Sequence, residues 1–404
     1  MGKVNPAAMV KRFRGRFWLP PRPHGEVIED RTVSFLELFF DLVFVVLIAR
    51  ASHTLAHHLS WRGVADFAIV FGLIWLAWIN GTTHHELHGR EDGRSRTFIF
   101  IQMLLLALLA VFAGDATGEG GVGFATTYVG LQLVLTWLWY TVRRQDSQEY
   151  MAITARYLAG MIGSTLVMGV SIFLPSGART TVWAIFVVGW LIGAMLQFRS
   201  SGTMGFSVTD SMIERFGLFT IIVLGEVVVG VVNGLSEVER TGSAIATGLL
   251  GLIVGFGIWW TYFDYIGRRF PGESRLDVAR WVLGHLPISM SIAAGGAALV
   301  SLVEHAGEPA APVAATWLLS GSVALGLLSM AQVMGSLRDF GRLPTLYRPV
   351  VRAMVAGAIG SLAVGIWRPT AWLVVLALAA IHSVIWFFAF DRWLRLEKAD
   401  EASP

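Results

Sequence analysis

Apolar runs of about twenty residues recur along the whole chain, separated by short stretches rich in charge, Gly and Pro. A run of that length suffices for one α-helical crossing of a bilayer. The pattern predicts twelve crossings, over 34–56, 63–83, 97–114, 121–141, 156–174, 181–198, 211–233, 242–264, 281–302, 313–334, 350–366 and 370–390. The connections are too short to hide a soluble catalytic domain. The predicted fold class is an all-α polytopic membrane protein, so any function is built from the helices and their ends.

The halves of the chain resemble each other. SFLELF (34–39) shares S-x-x-E-x-F with SMIERF (211–216), at an offset of 177. Phe71-Gly72 and Trp75 match Phe256-Gly257 and Trp260 at an offset of 185, and AGMIGS (159–164) matches AGAIGS (356–361) at 197. Thr181-Val-Trp183 opens the sixth run as Thr370-Ala-Trp372 opens the twelfth. Four matches in the same order predict two tandem six-helix repeats, 34–200 and 211–391, joined by a linker at 201–210. A basic N-terminal tail (1–33) and a C-terminal tail (392–404) flank them. Six is even, so both halves enter the membrane in the same direction. A pseudo-twofold along the membrane normal and a cavity between the halves are the expected consequences. The small residues of AGxIGS would let the fifth and eleventh helices pack closely.

Composition strengthens the membrane reading. The 404 residues are 55% hydrophobic and 15% charged, with a mean hydropathy of +0.62, whereas soluble domains carry about 25% charged residues. With no Cys, disulfides, thiolate metal sites and cysteine nucleophiles are excluded. Residues 1–32 lack an apolar core, so no cleavable signal peptide is expected. The net charge of +3 calls for no nucleic-acid partner. Of the 31 Lys and Arg residues, 26 fall on the side of the termini. The five on the other side are Arg50, Arg62, Arg179, Arg240 and Arg368. That split predicts both termini in the cytoplasm.

The charges inside apolar runs are the candidate chemistry, since an intramembrane ionisable group costs a few kcal/mol or more unless paired or hydrated. Glu37 and Glu214 each close an S-x-x-E pattern at a helix start, which predicts a capping box with Ser34 or Ser211; a direct transport role is the alternative. Asp41 lies one turn deeper than Glu37, and its repeat equivalent is the apolar Leu218. It is read either as an ion, proton or substrate group facing the interior, or as a structural hydrogen-bond anchor. Glu226 has Ala49 as its equivalent, beside Arg50. Arg50 and Glu226 then share a depth on equivalent helices, which predicts an ion pair, with His53 as the alternative partner for Glu226.

Histidines cluster in HTLAHH (53–58) and HHELH (84–88). His84 and His88 are four apart, a spacing that suits metal, but a wet interfacial loop is the preferred reading and no metal site is assigned. His285, His382, Gln102, Gln132 and Gln332 are expected to hydrogen-bond between helices. No phosphate loop, nucleotide fingerprint or Ser-His-Asp order stands out, so neither enzymatic activity nor a cofactor is expected.

ELFFDLVFVVLIAR followed by ERFGLFTIIVLGEVVVGV resembles the bacterial low temperature requirement A family, and the likeness covers essentially the whole chain. The motifs carry over to Glu37, Phe40, Asp41, Glu214, Arg215, Phe216, Gly225 and Glu226. The resemblance implies a multi-pass protein of the bacterial inner membrane and supplies no molecular activity. Phe39-Phe40-Asp41 also faintly resembles the Phe-Ser-Asp signature of a potassium channel family with six-helix repeats. The leading expectation is a secondary transporter coupled to ions or protons through intramembrane carboxylates. A non-transporting lipid-binding or assembly protein and a cation channel are the alternatives. Membrane lipids and an unidentified ion or small molecule are the expected partners, and a homodimer is left open.

Overall fold

The computed structural model describes residues 15, 17–26, 28, 31–199 and 208–401, the side chains of 397–401 excepted. The expected linker at 201–210 and both tails therefore lie partly outside the described residues. Among the described residues there are thirteen α-helices and one isolated β-bridge, between Pro271 and Leu337. The helices are α1 (Phe35–His57), α2 (Trp61–His88), α3 (Gly93–Ala113), α4 (Gly121–Arg143), α5 (Gln148–Ser171) and α6 (Ser176–Arg199). They continue with α7 (Asp210–Glu237), α8 (Gly242–Tyr265), α9 (Arg275–Glu304), α10 (Val313–Met334), α11 (Arg338–Arg342), α12 (Pro344–Trp367) and α13 (Ala371–Glu401). The twelve long ones fall on the twelve apolar runs, and the five-residue α11 is an addition. Eleven are long and apolar enough to cross a membrane. The helix outside that set is α1, the one that holds Glu37, Asp41 and Arg50, so the expected twelve becomes eleven such helices and a charged one of 23 residues.

The chain divides into two compact units. The first comprises Met1–Leu47, Gly72–Trp190 and Ser201–Met212; the second comprises Ile48–Phe71, Leu191–Ser200 and Ile213–Pro404. In the first, α3 packs on α4 and α4 on α5. Trp139, Leu135 and Leu138 of α4 meet Leu158 and Met161 of α5 in a buried cluster, with Trp139 stacked on Tyr157 at 4.6 Å. In the second, α9 is the most enclosed helix: nearly every residue from Ile288 to Val303 is buried. Around it α9 packs on α10, α10 on α12, α12 on α13 and α13 on α8.

Gly72 and Gly257, matched in sequence, make matched contacts inside their own units. A Cβ on Gly72 of α2 would lie 2.8 Å from Val187 of α6, and one on Gly257 of α8 would lie 2.9 Å from His382 of α13. Three residues on, Trp75 meets Trp190 of α6 with ring centroids 6.4 Å apart. Trp260 likewise meets Trp386 of α13 at 4.3 Å. The AGxIGS glycines behave differently. Gly357 of α12 sits where a Cβ would fall 2.6 Å from Ile385, whereas Gly160 and Gly163 of α5 have nothing within 4 Å. Close packing through this motif therefore holds for the second copy and not for the first.

Polar side chains inside helices divide as well. His285 shares a hydrogen bond with the Tyr262 hydroxyl at 2.9 Å, and Gln332 donates to the Arg280 carbonyl at 3.3 Å, both reaching a neighbouring helix. Gln102 donates to Phe98 and His382 bonds to Leu378, each on its own helix. The expected bridging role fails for these two because an i−4 carbonyl is the acceptor nearest to hand.

Candidate functional site

The first turn of α1 carries the predicted capping box. The Ser34 amide donates to Glu37 Oε2 at 3.0 Å, and the Glu37 amide donates to Ser34 Oγ at 3.3 Å. The other carboxylate oxygen of Glu37 accepts from Arg31 at 2.5 Å. The same guanidinium donates to Glu86 near the end of α2 and to Ser211 Oγ at 3.3 Å. Arg31 thus bridges two carboxylates that are 3% and 5% exposed. Sequence reasoning counted Arg31 among the tail residues and passed over Glu86. Their signal was the acid inside HHELH, which the basic segment before α1 neutralises. A cleft of about 1030 Å³ adjoins this cluster, lined by Arg31, Glu37, His85, Arg90 and Arg96 among others.

The second capping box does not form. Helix α7 begins at Asp210, before Ser211, and Thr209 Oγ1 accepts from the Met212 amide at 3.2 Å. Ser211 Oγ is engaged instead with Glu86 Oε1 at 2.7 Å. Glu214 is exposed. The S-x-x-E spacing was right in type, but the capping residue lies two positions earlier.

Asp41 is fully buried and accepts a hydrogen bond from Trp78 Nε1 at 2.9 Å. Its helix neighbours Phe40 and Phe44 are buried and packed edge to face. An indole N–H is donor only, so the pairing suits an acceptor such as a carboxylate. At an offset of 185 the counterpart of Trp78 is Phe263, just as Leu218 is the counterpart of Asp41. Both offset positions thus carry apolar residues.

Glu226 on α7 is 4% exposed. It is held there by a close approach of backbones: a Cβ on Gly296 of α9 would lie 2.5 Å from the Glu226 carbonyl, and one on Gly230 would lie 2.2 Å from the Gly296 carbonyl. Its side chain borders a cavity of about 30 Å³ with Ser52, His53, His57, Asn233 and Glu237. Ser52 is the polar neighbour of the carboxylate, yet at hydrogen-bonding distance and angle neither Ser52 Oγ nor Glu226 Oε1 has a partner. The predicted ion pair with Arg50 is not made, because Arg50 is exposed and does not line this cavity. The reason is helical register. Ala49, Ser52, His53, Ala56 and His57 share the face of α1 that borders the cavity, and Arg50 is rotated about 100° off residue 49. His53 occupies the place assigned to Arg50.

HHELH is neither a loop nor wet. It forms the last turn of α2, and His84, His85, Glu86 and His88 are all buried. Residues preceding α1 cover it. The Arg22 amide donates to the His88 carbonyl at 3.1 Å. The buried Arg22 side chain donates to the Glu86 and Gly89 carbonyls at 2.5 and 2.7 Å, satisfying groups that a helix end leaves open. Next to it His24 bonds through Nδ1 to Asp146 at 2.9 Å. Asp146 lies in the turn after α4. Burial alone would raise its carboxyl, but hydrogen bonds from Thr154 and from the His24 amide and ring outweigh that and hold it below the usual carboxylate range. Neither His24 nor Asp146 carried a periodic or motif signal.

Comparison with known proteins places the chain among relatives. Residues 32–381 match the bacterial low temperature requirement A protein (LtrA) family. The uncharacterized protein RA0937 of Rhizobium meliloti (strain 1021) is 25% identical over 282 residues, which cover 65% of this chain and 68% of that protein. No solved structure matches. The family match spans far more than half of the sequence, and this membrane protein belongs to the bacterial low temperature requirement A family.

Proposed function

We propose that the protein is a secondary transporter of the bacterial inner membrane that couples ion or proton movement to Glu226, with Asp41 as a second acid. One observation carries the reading: Glu226 is a buried carboxylate with an oxygen that lacks a hydrogen bond, bordering a cavity large enough for one water molecule or small cation. Such a group is stable only when protonated, hydrated or ion-bound. Exchange among those states is what coupling requires. Glu37 is tied into the cap and to Arg31, and Glu214 is exposed, so both drop behind as coupling groups.

The proposal includes α1 as a twelfth crossing, since its 23 residues rise about 34 Å, and both termini in the cytoplasm. It also includes a tandem six-helix duplication, which parallel entry would relate by a pseudo-twofold along the membrane normal. The matched contacts of Gly72 with Val187 and of Gly257 with His382 support the duplication. A second reading, a lipid-binding membrane protein, is favoured by a separate feature. An apolar groove of about 570 Å³ in the second unit is lined by Trp61, Val64, Phe67, Trp317, Leu318 and Leu325 among others.

The test is purified protein in proteoliposomes with a pH gradient, a pH-sensitive dye inside, and a panel of cations and small solutes outside. Substrate-dependent proton or cation flux that Glu226→Gln abolishes supports transport. Flux indifferent to that change refutes Glu226 as the coupling group. No flux with any substrate, together with stoichiometric co-purified lipid, favours the lipid-binding reading.

A further inference from the structure

The first unit holds three imidazoles with ring nitrogens that nothing satisfies. His24, His84 and His88 are 8%, 3% and 0% exposed. The His24 and His88 ring centroids are 4.4 Å apart, and those of His84 and His88 are 5.5 Å apart. His24 Nε2, His88 Nε2 and both ring nitrogens of His84 have no hydrogen-bond partner. The Leu138 carbonyl faces the His84 ring without closing such a bond. Four unsatisfied buried nitrogens in one place are costly, because each has given up water without gaining a partner.

The bonds that are made say what the open nitrogens are. His24 Nδ1 meets Asp146 Oδ2 at 2.9 Å, and His88 Nδ1 meets the Arg22 carbonyl at 2.8 Å. Both partners are acceptors, so each ring donates from Nδ1, and the neutral ring with that tautomer presents Nε2 as a lone pair. This is the arrangement found at metal-bound histidines, where the outer N–H goes to a carboxylate or a backbone carbonyl. We propose that His24, His84 and His88 form a site for a divalent first-row transition metal, with Asp146 and the Arg22 carbonyl as the groups that orient two of the ligands.

Metal chemistry agrees with the spacing of the two neighbouring pairs, His24 with His88 and His84 with His88. A Zn²⁺ bound at about 2.1 Å from each nitrogen in tetrahedral geometry sets neighbouring imidazole centroids about 5 Å apart. Imidazole-only donors select Zn, Cu or Ni over Ca or Mg, which take oxygen ligands. In the side-chain positions of the structure no three His, Asp or Glu groups among the described residues yet converge on one point. The site therefore includes a turn of the His84 ring away from the Leu138 carbonyl that faces it. Trp139 walls the cluster, with its ring 5.1 Å from His88 and 5.5 Å from His84, and a water molecule would complete the tetrahedral set. The inference stands apart from the transport reading, since it concerns other residues and a resident ion.

The test uses the full-length protein in detergent, stripped with a chelator and titrated with Zn²⁺ by calorimetry and with Co²⁺ by its visible d–d bands. One ion per chain with a tetrahedral Co²⁺ spectrum is expected, together with a rise in the melting temperature on Zn²⁺ addition. His24→Gln and His88→Gln should each remove the Co²⁺ bands. Asp146→Asn should weaken Zn²⁺ affinity about 10- to 100-fold. His53→Gln/His57→Gln, which removes the exposed pair with Nε2 atoms 3.2 Å apart on α1, should leave the bands unchanged. Size exclusion and melting curves of the stripped variants identify any that fail to fold. Should His88→Gln be one of them, His24→Gln decides, because it alters a residue outside the helices. Absence of saturable binding, or bands that survive His24→Gln and vanish in the His53/His57 double variant, overturns the site.

Discussion

Exchanging the Asp41–Trp78 pair for its counterparts under the proposed duplication, Leu218 and Phe263, gives a four-state experiment. Both side chains are fully buried and joined by a 2.9 Å bond from Nε1 to the carboxylate. A hydrogen bond to a charged acceptor contributes about 1.5–3 kcal/mol. Trp78→Phe removes this donor from a fully buried carboxylate, so a loss of about 2–3 kcal/mol is expected. Asp41→Leu leaves the indole N–H buried without this acceptor, at about 1–3 kcal/mol. The double variant leaves neither group stranded and resembles what the second half already uses. It should lose about 1.5–3 kcal/mol less than the sum of the singles. Thermal and denaturant unfolding in one detergent, followed by tryptophan fluorescence and a size-exclusion monodispersity assay, reads all four proteins. Additivity within about 0.5 kcal/mol would refute the coupling. A double variant worse than both singles would refute the equivalence of the two halves at this position.

Arg31→Ala should destabilise by about 3–5 kcal/mol, because it removes the cation that balances two buried carboxylates, Glu37 and Glu86; Arg31→Lys should recover only part, since an ammonium is a point charge that cannot span both. Unfolding curves check this, and a loss below about 1 kcal/mol would show that water screens the cluster. Gly296→Ala should cost about 1–3 kcal/mol by forcing α9 off the Glu226 carbonyl, and Gly225→Ala, on a glycine with nothing within 4 Å, serves as the tolerant control. Arg50→Ala should change stability by less than about 0.5 kcal/mol, as expected of an exposed side chain; a large loss would revive the pair with Glu226.

Local chemistry was legible in the sequence where spacing along one helix decides it. Apolar run length placed the twelve long helices, and S-x-x-E at 34–37 gave a capping box whose two bonds are both present. Where a second segment decides, spacing was silent. Nothing in HHELH announces that residues 17–26 fold back over it, so a buried helix end read as a solvated loop. Depth alone put Arg50 opposite Glu226, but depth fixes only one of two helical coordinates. One residue of register turns a side chain by about 100°, and that rotation carried Arg50 out of the site. At the start of α7 the cap failed for a similar reason, since Glu86 from a distant segment captured the Ser211 hydroxyl.

On the proposed duplication, the positions where the halves agree and disagree separate scaffold from chemistry. Gly72 and Gly257 agree, with Trp75 and Trp260 beside them, and these residues only let helices approach and interlock. Asp41 and Glu226 disagree with Leu218 and Ala49, so neither acid is required by the shared packing. Each must instead be stabilised by something local. Asp41 has an indole donor aimed at it, and that donor is lost in the other half together with the acid. A matched pair of this kind serves as an anchor as well as a site. Glu226 has no such donor on its Oε1. What it has is a glycine crossing that presses α9 against its backbone and a cavity of about 30 Å³ at its carboxylate. A scaffold with only packing to satisfy would place Ala there, as the first half does at 49. Keeping an acid where alanine stands in the other half makes sense if the acid exchanges its proton or ion, which ranks Glu226 above Asp41 as the proposed coupling group.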